Sequence, residues 1–166
     1  MRAVEQTGWI NFRMRAMVVS FFSLNLDQDW RDGTYHLAKQ FLDYEPGIHW
    51  SQLQMQSGTT GINTTRVYNP IKQAQDHDPQ GKFVRRWLPA MRSVPDTWLF
   101  EPWMMPQREL TDATQMPQIV TPLLDLAAAT KTAKHRVHER RRDPEVKAGK
   151  KAVVEKHASR QGFRSS

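Results

Sequence analysis

The sequence predicts an all-α fold with long irregular loops, and three observations carry that prediction. Residues 9–26 (WINFRMRAMVVSFFSLNL) are apolar almost all round, the pattern of a helix sunk in a larger body rather than lying on its surface. Two further helical stretches follow late in the chain, about 123–141 and about 145–160, with Asp143-Pro144 supplying the cap and first turn of the second. No β-rich region competes with them. One alternation, Gln52 to Gln56, has the period of a short strand, and there is no internal repeat.

Taken in order, Met1-Arg2-Ala3-Val4-Glu5 reads as a helix entered in its middle. Within 9–26, Arg13 and Arg15 lie about 200° apart on a helix, so they meet different surroundings. A buried arginine must find a carboxylate or phosphate, and its exposed counterpart snorkels to water. Asp29-Trp30-Arg31-Asp32-Gly33 reads as a turn, after which Thr34 caps a short helix that carries Leu37 and Phe41 on one face and ends near Asp43. From Tyr44 to Asn63 no helical period is visible, and Pro46 with Gly47, Gly58 and Gly61 punctuates an irregular path. Asp78-Pro79 opens the next helix, with Phe83, Val84, Trp87 and Leu88 on one face and Pro89 and Pro95 as its bounds. Residues 95–122 are proline-rich and are expected to wrap over the body as an irregular extension.

Charge is unevenly placed. The net +7 of the 166 residues arises almost entirely from 131–166, where 12 Lys/Arg face 4 Asp/Glu, while 1–130 hold 12 against 13. Only that tail qualifies as a partner for a polyanion. The chain has no cysteine, which excludes disulfides, thiol catalysis and thiolate metal sites and fits a reducing, cytoplasmic setting. No segment approaches the roughly 18 apolar residues of a membrane span, and the phosphate-loop, dinucleotide and serine-hydrolase glycine motifs do not occur. His135, His138 and Glu139 share a helical face, but the neighbouring arginines make a metal site improbable. The stretch from Asp43 to Trp87 is polar without being highly charged. It holds six glutamines, Gln52, Gln54, Gln56, Gln73, Gln75 and Gln80, beside His49 and aromatic rings. That mixture suits a cleft for a flat polar ligand. His49 is its first candidate for chemistry, though a lone histidine is as a rule structural. Trp30 and Trp50 flank it, placed where an indole can relay an electron or stack on a base.

Five motifs in fixed order add a resemblance. Gly8-Trp9-Ile10-Asn11-Phe12-Arg13-Met14-Arg15-Ala16-Met17, Asp29-Trp30-Arg31-Asp32-Gly33, Asp43-Tyr44-Glu45-Pro46-Gly47-Ile48-His49, Arg66-Val67-Tyr68-Asn69-Pro70 and Asp78-Pro79-Gln80-Gly81 together resemble the C-terminal half of the FAD-binding domain of the photolyase/cryptochrome family. The resemblance covers roughly residues 1–105 and weakens through the tail. It implies a helical FAD-binding domain over 1–105, with 106–130 as a wrapping extension and 131–166 as a basic helical tail. In photolyases the flavin delivers an electron, after absorbing blue light, to a pyrimidine dimer flipped out of DNA. The resemblance assigns Asn11, Arg15, Asp43, Glu45 and His49 to FAD, with Arg15 pairing with Asp43, Glu45 as a second carboxylate near the ring and ribose, and His49 facing flavin N5. It assigns Arg13, Arg66 and Lys72 to the DNA backbone, where contacts set register rather than sequence. Trp30 takes the middle place of the family's tryptophan chain. The flavin-proximal place falls on Leu53 or Ser51, neither able to carry an electron, which leaves Trp50 as the nearby substitute.

The resemblance also places the family's α/β antenna domain, its pyrophosphate-holding turn and its distal tryptophan upstream of the matched stretch. The expectation is that this chain is a partner for that missing half, or for a split-gene product supplying it, and holds little FAD alone. Three functions stay open: light-driven repair of UV-damaged DNA as a deoxyribodipyrimidine photolyase, cryptochrome-type blue-light signalling, and non-enzymatic nucleic-acid binding through the basic tail.

Overall fold

The computed structural model describes residues 1–60, 66–106 and 122–149. Most of the expected extension from 107 and of the second tail helix from 150 therefore lies outside the described residues. The first helix, α1 (Arg2–Thr7), stops at Gly8, whose left-handed φ of 66° lets the chain double back. Asn11 then starts α2 (Phe12–Ser20) by accepting the backbone N–H of Met14 at 3.0 Å. The apolar run is thus helical from residue 12, not 9, and it changes pitch before it ends. A π-helical turn, Phe21–Asn25, follows α2 without a break.

The expected turn at Asp29 is instead the start of a helix. Asp29 caps α3 (Trp30–Gln40), its Oδ1 accepting the N–H of Arg31 at 2.9 Å. Gly33 lies inside that helix for packing reasons: a Cβ there would stand 3.2 Å from the Phe22 ring. Thr34 is no cap either. It is wholly buried mid-helix, its hydroxyl donating to the carbonyl of Trp30 at 2.7 Å. The helix ends at Gln40, where Phe41 turns extended, short of Asp43.

The largest correction concerns the polar segment. Neither an irregular path nor a strand occupies it up to Ser57; α4 (Pro46–Ser57) does, with Glu45 as N-cap, Pro46 in the first turn and left-handed Gly58 as C-cap. Proline just inside and glycine just past a helix is the usual asymmetry. A second unforeseen helix, α5 (Pro70–His77), repeats the device with Asn69 and Pro70. The helix expected from Asp78-Pro79 begins later, as α6 (Lys82–Trp87), with Pro79 left in the preceding turn. Asp78 still caps it, accepting Phe83 N–H at 3.1 Å and Val84 N–H at 3.0 Å. Three 3-10 turns, Pro89–Met91, Asp96–Trp98 and Pro102–Met104, carry the proline-rich stretch over the body, and α7 (Leu126–Arg142) follows, capped by Asp125. Among the described residues there is no β-strand.

The core gathers Ala3, Val4, Ile10, Val19, Leu37, Phe41 and Leu53, with Trp30 and Trp87 packed against it. Burying each large aliphatic side chain contributes roughly 1.5–3 kcal/mol. Helix α2 packs on α4, α3 on α4, and α7 on the π turn. Among the described residues no helix is long and apolar enough to cross a membrane.

Two expected outcomes follow from this local chemistry. Gly81 has φ 64° and faces Leu99, whose side chain a Cβ would overlap. Gly81→Ala should therefore cost about 2 kcal/mol or more in urea unfolding. The Arg31 N–H, aided by its guanidinium, holds the Asp29 carboxyl below its ordinary value of 3.8. A depressed carboxyl stabilises the fold above its unfolded pKa and loses that effect as pH falls through the folded one. The melting-temperature gap between wild type and Asp29→Ala should accordingly be widest above pH 5 and close as the solution is acidified below the ordinary carboxylate range.

Candidate functional site

The residues singled out around Arg15 and His49 converge on a cleft of about 340 Å³ between the start of α2, the loop 41–45 and one face of α4. From α4 and its cap it takes Glu45, Ile48, His49, Gln52, Leu53 and Gln56, a run at helical spacing. The glutamines of the polar segment thus divide by helix face, with Gln52 and Gln56 lining the cleft and Gln54 exposed on another side.

Arg15 anchors the cleft. Its Nη2 donates to both oxygens of Asp43 at 2.9 Å, its Nε donates to the carbonyl of Ile10 at 2.9 Å, and its guanidinium lies 4.0 Å over the Phe41 ring. Arg13 on the same helix is exposed, as the two-environment expectation requires. His49 is buried, with Nε2 3.1 Å from the carbonyl of Thr34. A carbonyl only accepts, so Nε2 donates to it, and Nδ1 is the ring nitrogen left for another partner. Glu45 lines the cleft while capping α4, accepting Gly47 N–H at 3.1 Å and Ile48 N–H at 2.6 Å. Each oxygen keeps a further lone pair. The rim is formed by the large exposed side chains Trp9, Phe12, Tyr44 and Ile48. One buried polar atom in the wall has no partner, the Oε1 of Gln52. An orphaned buried acceptor costs about 1–3 kcal/mol. Of the four such atoms among the described residues, Gln52 Oε1 is the one whose residue lines the cleft, the others being Ser23 Oγ, Asn25 Oδ1 and Gln73 Oε1.

The remaining predicted residues lie elsewhere. Asn11 sits on the surface with its Oδ1 spent on capping α2 and is not in the cleft wall. Arg66 and Lys72 are exposed away from it, Lys72 paired with Asp76 at 3.3 Å and the Arg66 carbonyl held by the Ser20 hydroxyl at 3.0 Å. Trp30 and Trp50 meet edge to face with centroids 6.2 Å apart, and the Trp50 indole N–H donates to the Tyr44 hydroxyl at 3.2 Å. Leu53 is buried in the core and Ser51 is exposed. Among the described residues no cluster of His, Asp and Glu could hold a metal. The rim side chains Trp9, Phe12 and Ile48 were not foreseen; nothing in an apolar stretch tells which of its members stays outside.

A larger groove of about 1390 Å³ lies beyond the cleft floor, which the two share through Val19, Leu37 and Leu53. Its walls are mostly rings and aliphatic groups such as Phe21, Phe22, Leu26 and Trp103, with Glu5, Asp32, His36 and Glu101 also on the lining.

With this geometry in hand, comparison with known proteins is decisive. The family model for the FAD-binding domain of DNA photolyase matches residues 1–139. The chain belongs to that family. It is similar to the deoxyribodipyrimidine photo-lyase of Vibrio cholerae, 36% identical over 108 residues, which are 64% of this chain and 23% of the relative. It is also similar to the cryptochrome DASH of Gloeobacter violaceus, 31% identical over 135 residues, 78% of this chain and 27% of that one. Among solved structures, a Synechocystis cryptochrome superposes with TM-score 0.75 at 28% identity, over 81% of this chain and 29% of that chain. An archaeal photolyase of Sulfolobus tokodaii, solved with two FAD molecules, gives 0.71 at 28% identity, over 84% and 30%. The chain spans about a quarter of the length of the curated relatives it matches. The all-α photolyase-type fold expected from the motifs is the observed one.

The Arg15 to Asp43 contact is half-exposed on the carboxylate side, so its worth is that of a charge-assisted hydrogen bond in partial solvent. Asp43→Ala should lower the unfolding free energy by about 1 kcal/mol in urea, and by much less in an Arg15→Met background, since a double-mutant cycle isolates the pair.

Proposed function

We propose that this chain forms one wall of an FAD site in a photolyase-type flavoprotein acting on DNA that carries pyrimidine dimers. The observation that carries the reading is the orphaned Gln52 Oε1, set in a ring-rimmed cleft beside an anchored arginine and a histidine with a spare ring nitrogen. Those residues fit a flat heteroaromatic system: Gln52 takes a ring N–H, His49 Nδ1 takes another donor, and Trp9, Phe12 and Ile48 cover apolar faces. FAD, when bound, supplies light-driven one-electron chemistry. Asp43 and Glu45 are the acceptors for hydroxyl and N–H groups of the ligand, and Arg15 keeps Asp43 in place. A volume of about 340 Å³ is at the low end for ligand sites of about 300–1,000 Å³, so the wall receives part of a dinucleotide rather than the whole.

Trp50 next to His49, at 6.1 Å between ring centroids, supports an electron path from the cleft through Trp50 to Trp30 in place of the family member that falls on Leu53 or Ser51. Arg13, Arg66 and Lys72 are exposed cations suited to phosphate contact, and we assign them to the backbone of damaged DNA. Exposed cations on the same chain as the cleft support repair over signalling as the reading; equal affinity for dimer-containing and undamaged DNA in the flavin-loaded protein would favour signalling.

Flavin fluorescence titrated with the chain tests the site. Saturable quenching of FAD with a Kd of about 100 µM is expected. Gln52→Leu should weaken it about tenfold, because the orphaned acceptor then has nothing to offer a donor. Absence of any saturable change with FAD would overturn the reading.

A further inference from the structure

The face of α7 turned away from the body is a single-signed surface that the flavin cleft does not use. At about 100° per residue, Lys131, Lys134, His135, His138 and Arg142 fall within about 50° of one direction along the helix. All five are exposed. The opposite direction holds the docked side: Ala133 is fully buried, and Thr130, Arg136 and Val137 are partly buried. Docking is specific. Thr130 accepts from the Asn25 side chain at 3.1 Å, and Arg136 donates to the carbonyl of Leu24 at 2.8 Å and pairs with Asp27 at 2.9 Å. These contacts fix the rotation of α7, so the basic row faces solvent because of the fold and not by free choice of the helix. The one carboxylate within α7, Glu139, pairs with His135 at 3.3 Å and leaves the lysines and Arg142 uncompensated on that face.

We propose that this row is a second, sequence-independent binding surface for a nucleic-acid backbone, separate from the flavin cleft and from the cations assigned to damaged DNA. From Lys131 to Arg142 it runs about 16 Å at 1.5 Å per residue. Over that length a DNA duplex presents on the order of ten phosphates, at one charge per 1.7 Å of axis. The match is one of sign and length, and a straight row of cations needs no reading of base edges. An anionic membrane surface fits less well. An interfacial helix lays large apolar side chains into the lipid, whereas the larger apolar members of α7, Leu126 and Val137, are half-buried and the exposed face carries no apolar side chain larger than alanine. The surface also lies at the far end of the α2 and π-turn segment from the cleft, since α7 packs on the π turn and the cleft begins at the start of α2. One duplex binding here need not touch the flavin wall.

The inference does not rest on the flavin reading, and its test uses neither flavin nor damage. The full chain is titrated into a fluorescein-labelled, undamaged 20-base-pair duplex by anisotropy over a series of salt concentrations, alongside the triple variant K131Q/K134Q/R142Q. Glutamine keeps helix propensity, and circular dichroism checks that α7 remains. The variant is expected to bind at least tenfold more weakly, with the log–log salt slope reduced by about 2.7, at 0.9 for each phosphate no longer neutralised. The charge-preserving variant K131R/K134R/R142K should bind like wild type. Unchanged affinity and slope in the glutamine variant would overturn the proposal. So would a wild-type chain that ignores the duplex but sediments with phosphatidylserine vesicles, which would make the row a lipid-headgroup surface.

Discussion

The structure depends most on how Arg15 is satisfied. Its side chain is about one quarter exposed, and three contacts hold it in a single orientation. Three separate stretches provide the partners: the Ile10 carbonyl before α2, the Asp43 carboxylate after α3, and the Phe41 ring between them. The same two loops are joined again by the Leu42 N–H donating to the Gly8 carbonyl at 3.0 Å. Gly8 permits that approach, since a Cβ there would overlap Leu42. One arginine therefore sets where α2 begins relative to α4. That relation is the cleft.

The opposite end of the same helix is governed by a different device. In the π turn the carbonyl of Leu24 lacks an ordinary helical partner and is taken by Arg136 from α7, while Asn25 reaches Thr130. Ser20, wholly buried, donates to the Arg66 carbonyl and accepts the Tyr68 N–H, holding the chain that leads into α5. A change of helical pitch thus converts backbone groups into docking points. The helix joins two surfaces of unlike chemistry: a polar, ring-rimmed cleft at its start and a basic row seated at its end.

What could be read in the sequence divides along the same lines. The Arg15 to Asp43 pair implied by the family resemblance is the observed one, whereas helical spacing alone left open which of Arg13 and Arg15 is buried and which acceptor it meets. Caps were legible as residue types but were assigned to the wrong residue where two candidates lay close. Thr34 looked like an N-cap and is a buried mid-helix residue, whereas Asp29, five residues earlier, has the capping geometry. Helix α4 was hidden because its cleft face is polar. Its glutamines erase the apolar period that a core-facing helix shows, and only Pro46 and Gly58 mark its ends. Gly33 illustrates the remaining difficulty, since a glycine needed to admit the Phe22 ring looks in sequence like a turn.

The charge of the cleft says which part of a ligand it suits. Its ionised lining groups are Arg15, Asp43 and Glu45, so the wall is net negative by one, and Arg15 gives Nε to Ile10 and Nη2 to Asp43 while keeping Nη1. Glu45 is fixed by the two N–H groups it caps and offers its remaining lone pairs outward. Gln52 Oε1 adds an acceptor, as does His49 Nδ1 in the neutral ring. With two carboxylates to one guanidinium, such a wall disfavours a phosphate by charge and favours groups that bring donors. A net-negative wall of acceptors suits a neutral, N–H- and O–H-bearing ligand surface better than an anionic one. That selectivity follows from the same capping and pairing interactions that hold the cleft open, so stability and recognition here rest on one set of hydrogen bonds.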